Sequence, residues 1–574
     1  MGWSVLILFA LGLGGCTQAP EVSPGRPADP VSGNSGFRAT GRQGIVVSIS
    51  RPASEVGLGT LKRGGNAMDA AVATAFALAV SYPAAGNIGG GGFMLVHPAP
   101  GEGPPVVIDY RETAPAGAFP TMYGKDESQF THRAVAIPGT VRGMALAHRR
   151  FGRLPWREVL RPAILLARDG VPLDRHLSGF LNEILAEARA HAEFQRVFGK
   201  PGGGLWQTGD RLLQPDLART LELLASLGPD AFYRGPIADD IFAEMARGNG
   251  LITRQDLAGY QAVERQPLHT RYRGVYDVYV PPPPSSGGIC LIEELNMLGG
   301  FDLASWGPES PQTLHTLAEV MRRANCDRAR YLGDSAFVEI PARLTTPEYA
   351  RLQASSIIPG KATPSRELCQ DLPLSPEGDD TTHFSVIDRD GMAVANTYTL
   401  ERLWGSRIVV KGAGFILNND MRAFNLVPGV TDTRGALGTP PNVIAPGKRP
   451  LSSQSPTIVA RDGRVFLVTG SPGSQSIPHT ILTLLINTID FKMAPEDAAE
   501  APRLSHSWFP DEIVFECPED YAGTMAALRE RGHRVVPTGP RRQGDAHSIW
   551  VREPGVYVGV ADRRRNPEAS ALGY

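Results

Sequence analysis

The chain predicts an α/β architecture of layered helices and sheets, on three observations. Residues 154–247 are mainly helical in pattern, the stretch after residue 380 changes to short strands, and helical stretches return near the end. At 574 residues the chain can bury a large core without metals or disulfides, although length alone suggests three or four domains. Hydrophobic residues make up 42% and charged residues 20%, ordinary for a soluble globular protein. A formal net charge of -2 gives no electrostatic footprint for a polyanion, so nucleic acid is not an expected partner.

Val5 to Leu13 is an apolar run too short to span a bilayer, and it ends in Leu13-Gly14-Gly15-Cys16. Small residues before a cleavage point mark a secretory signal. The Leu-x-Gly-Cys ending also resembles a bacterial lipobox, in which the cysteine is lipidated. The expectation is a signal segment over 1–16 lipidated at Cys16, a Pro/Gly/Ser-rich tether over 17–43, and a periplasmic or membrane-anchored protein. No Lys or Arg precedes the apolar run, so the alternative is an ordinary signal peptide with an incidental Cys16. Export permits disulfides. Cys290, Cys326, Cys369 and Cys517 fit no CxxC metal site and allow three pairings, among which sequence does not choose. Unpaired, they would be small buried hydrophobes.

The folded part begins near Gly44, with a strand over Ile45 to Ser50. Ser54 offers an N-cap to a helix that Gly64-Gly65 stops. Ala67 to Val80 is apolar nearly all round and reads as a buried helix. Gly86 to Gly92 follows that helix and leads into the strand Phe93 to Val96, the reverse of a phosphate-binding order, so it reads as a close-packed turn. Trp156 to Arg168 and Leu217 to Leu227 are helical, Pro281 to Pro284 is stiff, and Thr313 to Tyr331 is a helix with His315 and Glu319 on one face. That pair lacks an evident third ligand, so it reads as solvated and no metal or cofactor is expected. Thr363 to Asp380 reads as an exposed loop. Strands are expected at Phe384 to Ile387, Ala393 to Thr399, Phe415 to Leu417, Thr457 to Ala460 and Val465 to Thr469, and helices at Ile481 to Ile489 and Pro518 to Arg531.

The informative stretch starts at Thr381. Arg389-Asp390-Gly391 suits a three-residue hairpin loop with Gly in the left-handed position. Closing that loop at Asp388 and Met392 sets Thr381 opposite Thr399 on one face. Two threonines in strands need mean no more than β propensity. The chemical reading is that a Thr hydroxyl becomes a nucleophile only when a base takes its proton. An α-amine with a pKa near ~8 suits that task, and only a chain-terminal Thr carries both groups. An internal Thr gains the amine if its hydroxyl attacks the preceding carbonyl and water hydrolyses the ester.

Thr381-Thr382-His383-Phe384-Ser385-Val386 resembles the start of the small subunit of gamma-glutamyltransferases. Further stretches are similar to that family in the same order: Gly64 to Ala71, Gly86 to Phe93, Asp109-Tyr110-Arg111-Glu112, Pro282 to Gly288, Pro450 to Thr457, Thr469 to Gly473 and Ala571 to Tyr574. The resemblance implies a four-layer αββα N-terminal-nucleophile hydrolase sandwich, cut between Asp380 and Thr381 into parts 44–380 and 381–574 that form one fold. It implies Thr381 as nucleophile and base, and Thr399 as its orienting partner. It implies Arg111, Ser452 and Ser453 on the substrate α-carboxylate, and backbone N–H groups of Gly473 and Ser474 as the oxyanion hole. The implied donor is a gamma-glutamyl amide such as glutathione, with water or an amino acid as acceptor.

Four positions depart from the family pattern. Glu401 stands where a neutral residue such as Asn is usual, Ala423 where an acid usually holds the α-ammonium, Ser474 where a second Gly is usual, and Arg434 where bacterial members often carry Tyr. Either Glu401 and Asp420 replace the missing acid, or the enzyme takes an acyl group without an ammonium, such as glutaryl. An inactive binding homologue is the third reading.

Overall fold

The computed structural model describes residues 36–124, 127–369, 381–428, 440–539 and 542–574. Cys16, Asp380 and Arg434 lie outside the described residues, as do positions 1–35 of the expected signal and tether.

Two seven-stranded sheets form the centre. One has the strand order Ser570–Gly573, Gly44–Ser48, Thr382–Asp388, Ala393–Thr399, Gly91–His97, Val106–Asp109 and Val263–Arg265. The other has the order Arg38–Gly41, Val556–Ala561, His547–Glu553, Arg464–Thr469, Thr457–Arg461, Tyr276–Val280 and Leu268–Tyr272. Both sheets combine strands from before and after residue 380, so neither half forms a sheet alone.

The side-chain period of two sorts each strand between two cores. Val46, Phe384, Val386 and Val394 join a helix-covered core with Ala67–Ser81. Their neighbours Ile45, Val47, Ile387, Ala393 and Ala395 meet Ile458, Val468 and Ile549 of the other sheet. On that sheet's outer side Val459, Leu467 and Trp550 pack with the helices Ser286–Leu298, Pro311–Tyr331 and Ser476–Ile489. Three stacked cores make four layers, the expected αββα order.

Local signals explain most elements. Asn66 and Asp69 form a reciprocal capping box at the Ala67–Ser81 helix, with both bonds at 3.0 Å. The Ala67 amide also donates to Asp388 in the hairpin, at 2.7 Å. The hairpin register is as expected: Thr382 pairs with Tyr398 and Ile387 with Ala393, and the Asp388 amide donates to the Met392 carbonyl. The glycine run is a close-packed turn. A Cβ on Gly90 would fall on the Thr399 carbonyl oxygen, and one on Gly89 on that of Ile416.

Several expectations need correction. The first helix is Arg51–Lys62 with Ser50 at its N-cap; Ser54 lies inside it, buried, its hydroxyl 2.8 Å from that of Ser48. Phe415 to Leu417 is no strand, holding only the isolated bridge Val409–Ile416. Pro518–Tyr521 is a 3-10 turn ahead of the helix Ala522–Glu530. In the loop after Thr363, Ser365 is buried, fixed through its amide to Asp511 and its carbonyl to Trp508. Cys326 and Cys369 form a disulfide with Cα atoms 6.1 Å apart, and Cys290 is a buried free thiol.

His315 and Glu319 are not solvated. Both are buried, and His533 brings a third donor, its Nε2 2.8 Å from His315 Nδ1. Glu319 is already taken: Arg322 and Arg323 pair with its two oxygens, and Thr363 donates to both. Burial opposes its charge, but Arg322 and these hydrogen bonds outweigh it and hold the carboxyl at about 2. Two guanidinium groups beside the trio oppose a dication electrostatically.

This buried polar layer predicts acid sensitivity. Burial, reinforced by Arg322 or Arg328, lowers His479 and His533 to about 3 and His506 to about 4. A depressed folded-state pKa gives stability that is full above the unfolded value near ~6.5 and lost as pH falls toward the folded value. Each group then loses about 2–3 kcal/mol by roughly pH 4.5. Thermal unfolding from pH 7.5 to 4.5 should show Tm falling below about pH 6.5, and a flat Tm over that range would contradict it.

Candidate active site

Thr381 sits immediately before the strand Thr382–Asp388, and Thr399 ends its hairpin partner. Both are buried. They line one cleft of about 440 Å³ together with Arg111, Arg328, Glu401, Ala423, Ser452, Ser453 and Ser474. The expected residues thus converge from distant segments. Of the others, Asp420 reaches the cleft through Arg111, and Gly473 precedes Ser474.

Thr399 is held from both sides. Asn87 donates to its carbonyl at 2.9 Å, and the Asn87 side-chain oxygen accepts from the Gly90 amide at 2.9 Å. The Glu401 amide donates to Thr399 Oγ1 at 2.8 Å. Accepting that bond directs the hydroxyl's own proton elsewhere, as an orienting partner for a second threonine requires.

Arg111 follows the strand Val106–Asp109. Its amide donates to Asp109 at 2.9 Å, and Tyr260 donates to its carbonyl at 2.8 Å. Its buried guanidinium pairs with Asp420 at 2.6 Å and Glu112 at 2.9 Å, with Glu401 at 4.0 Å. The Asp420 oxygen lies off the N–H axis, so this contact is an ion pair and neither Asp420 oxygen accepts an aligned hydrogen bond. Burial works against the Arg111 charge, but Asp420, Glu112 and Glu401 outweigh it and bind the proton more tightly than usual. Burial first, then Asp420, pushes the Glu112 carboxyl well up.

Ser452 is fixed by main chain: its amide donates to Pro284 at 2.9 Å, and its carbonyl accepts from the Ser286 amide at 2.6 Å and hydroxyl at 2.9 Å. Its own hydroxyl accepts from the Gln454 amide at 3.2 Å. The stiff Pro281–Pro284 segment and the serines after it thus form the bed for the 452–454 turn.

The strand Arg464–Thr469 runs into Gly470-Ser471-Pro472-Gly473-Ser474 and then the helix Ser476–Ile489. Gly473 has φ +132, open to glycine, and Ser474 has φ +50, the left-handed region. Glycine would be easier at Ser474; a side chain there costs about 1–2 kcal/mol. The Ser476 amide and hydroxyl both hold the Gly473 carbonyl, at 3.0 and 2.7 Å. The loop lies at a helix N-terminus, where positive partial charge favours an oxyanion.

Sequence reasoning missed Glu112 and Arg328. Glu112 sits beside Arg111 in sequence with no local sign of its role, and Arg328 lies on a helix crowded with arginines. Only the fold shows that Arg328 faces the cleft.

Layer order and cleft define an N-terminal-nucleophile hydrolase. A family model described as gamma-glutamyltranspeptidase matches residues 53–572. The glutathione hydrolase proenzyme of Escherichia coli (strain K12) is 42% identical, over 99% of this chain and 98% of that protein. Among solved structures, cephalosporin acylase from Bacillus halodurans is 26% identical with a TM-score of 0.83, over 97% of this chain and 99% of that one. Helicobacter pylori gamma-glutamyltranspeptidase is 38% identical with a TM-score of 0.54, over 55% of this chain and 93% of that one. The chain belongs to the gamma-glutamyltranspeptidase family.

Proposed function

We propose that the protein is a proenzyme that cuts itself between Asp380 and Thr381 and then hydrolyses or transfers the gamma-glutamyl group of glutathione and related amides. The observation that carries this reading is the convergence of Thr381, Thr399, Arg111, Ser452, Ser453 and Ser474 on one cleft. In the first step Thr381 Oγ attacks the Asp380 carbonyl carbon. The C–N bond breaks, and the nitrogen, taking up a proton, becomes the Thr381 α-amine. Water hydrolyses the resulting ester, releasing the Asp380 carboxylate and restoring the hydroxyl. In turnover that amine takes the Thr381 hydroxyl proton, Oγ attacks the donor amide, and the Gly473 and Ser474 amides hold the oxyanion. The leaving amine departs with the proton, and water or an amino acid takes the acyl group. The E. coli relative's name, a glutathione hydrolase proenzyme, supports both maturation and donor class.

Ala423 on the cleft wall favours a second reading, an amide acylase whose acyl group lacks the ammonium, and a cephalosporin acylase shares the fold. Purified enzyme assayed on gamma-glutamyl and glutaryl anilides separates the two. If Glu401 and Asp420 hold the ammonium, Glu401→Gln lowers kcat/KM at least about 10-fold more for gamma-glutamyl than for glutaryl. If they do not, wild type already takes glutaryl and Ala423→Asp shifts it toward gamma-glutamyl. An unchanged ratio in both variants would mean neither position reads the amino group.

We further propose export, with lipidation at Cys16. The Cys326–Cys369 disulfide supports an oxidising compartment. Among the described residues no helix is long and apolar enough to cross a membrane. Labelling with a fatty-acid analogue tests the anchor: Cys16→Ala loses label, and an unlabelled wild type points to a simple signal peptide.

A further inference from the structure

We propose that Arg328 is a substrate-binding residue, a second cation that holds the donor's α-carboxylate together with Ser452 and Ser453. The inference rests on reading the cleft as an acyl-donor pocket, and it starts from where charge lies. On one wall Arg111 is surrounded by Asp420, Glu112 and Glu401, at 2.6, 2.9 and 4.0 Å. Most of its donors are committed. One terminal nitrogen serves Glu112 and Asp420, the other lies 3.5 Å from the Leu451 carbonyl, and Nε lies 3.4 Å from that of Pro450. An arriving carboxylate would have to share Arg111 with Asp420, so Arg111 alone is a poor fork here.

Arg328 lines the same cleft on the helix Pro311–Tyr331 and is 5% exposed. Its Nε donates to Ser286 Oγ at 3.0 Å, and Nη2 donates to Ser453 Oγ at 3.5 Å. Ser286 Oγ in turn donates to the Ser452 carbonyl at 2.9 Å. Arg328 therefore grips both residues of the serine pair, one directly and one through Ser286.

Direction of hydrogen bonding completes the case. Ser453 Oγ accepts from Arg328, and Ser452 Oγ accepts from the Gln454 amide. Each hydroxyl that accepts in this way keeps its own O–H to donate. Two O–H donors backed by a guanidinium match the two oxygens of a carboxylate. Glu401 on the cleft wall, with Asp420 buried behind Arg111, leaves the acidic side to the ammonium, so the cleft offers both charges that a zwitterionic acyl head needs.

Three anilide donors read the two halves separately. Gamma-glutamyl carries both charges, glutaryl only the carboxylate, and 4-aminobutyryl only the ammonium. On matured enzyme, checked by intact mass, Arg328→Gln should lower kcat/KM roughly 10- to 100-fold for gamma-glutamyl and glutaryl, and much less for 4-aminobutyryl. Arg328→Lys keeps the charge without the fork and should fall between. A loss of the same size on all three donors would make Arg328 structural and overturn the proposal. If Arg328→Gln stays uncut, Arg328→Lys on the same donors decides; if both stay uncut, Arg328 serves maturation and the assignment to donor binding fails. A wild type that turns over none of the anilides would instead sink the reading of the cleft as an acyl-donor pocket, and the inference with it.

Discussion

Thr381→Ala yields a single uncut chain without acyl-transfer activity. The substitution removes the only atom that both attacks the Asp380 carbonyl and carries the acyl group, so activity should fall by at least about 10⁴-fold. Folding should survive, because Thr381 precedes its strand and the hairpin pairing begins at Thr382 and Tyr398. Thr381→Ser keeps a hydroxyl and should still cut. A denaturing gel gives the answer: two pieces for wild type and serine, one for alanine. Cut alanine variant would mean that another nucleophile breaks the chain.

Arg111→Ala should have the second largest effect, and on two quantities. Removing one partner of a buried ion pair strands the other, at about 3–5 kcal/mol, and Asp420 and Glu112 both depend on Arg111 here. The variant should melt lower and bind donor at least about 10-fold more weakly, yet still cleave itself, because cleavage uses no donor. Adding Asp420→Ala isolates the stability effect: the double variant should regain much of the lost melting temperature, since no uncompensated Asp420 charge remains. If KM is unchanged in Arg111→Ala that has matured normally, Arg111 does not bind the donor.

Where a local rule had no competitor, the sequence was readable. Arg389-Asp390-Gly391 set the hairpin loop, and the loop set the register that aligns Thr381 with Thr399. The order of glycine run and strand excluded a phosphate loop, and Gly90 against the Thr399 carbonyl shows what the run is for. Ser54 was misread because Ser50, followed by Arg51-Pro52, is the better start signal: Pro belongs in a first turn. Phe415 to Leu417 has strand-forming residues, but its single bridge shows that tertiary packing decides so short a run.

Charged residues were the harder part. His315 and Glu319 read as solvated because their partners His533, Arg322, Arg323 and Thr363 come from elsewhere in the fold or from other helix turns. The same helix hides Arg328. Its i, i+3 and i, i+4 charges look like an exposed face, yet from Thr313 to Ala329 every residue is buried. A buried charge is legible only with its counter-charge, and sequence does not show which distant residue supplies it.

The central claim is that Thr381 becomes a chain terminus and carries the acyl group. Mass spectrometry of wild-type enzyme quenched during turnover of a gamma-glutamyl anilide tests it most directly. The expected result is a 194-residue fragment beginning at Thr381, part of which is heavier by one gamma-glutamyl group located on Thr381. An active enzyme that remains one chain, or an acyl group on any other residue, would contradict the account.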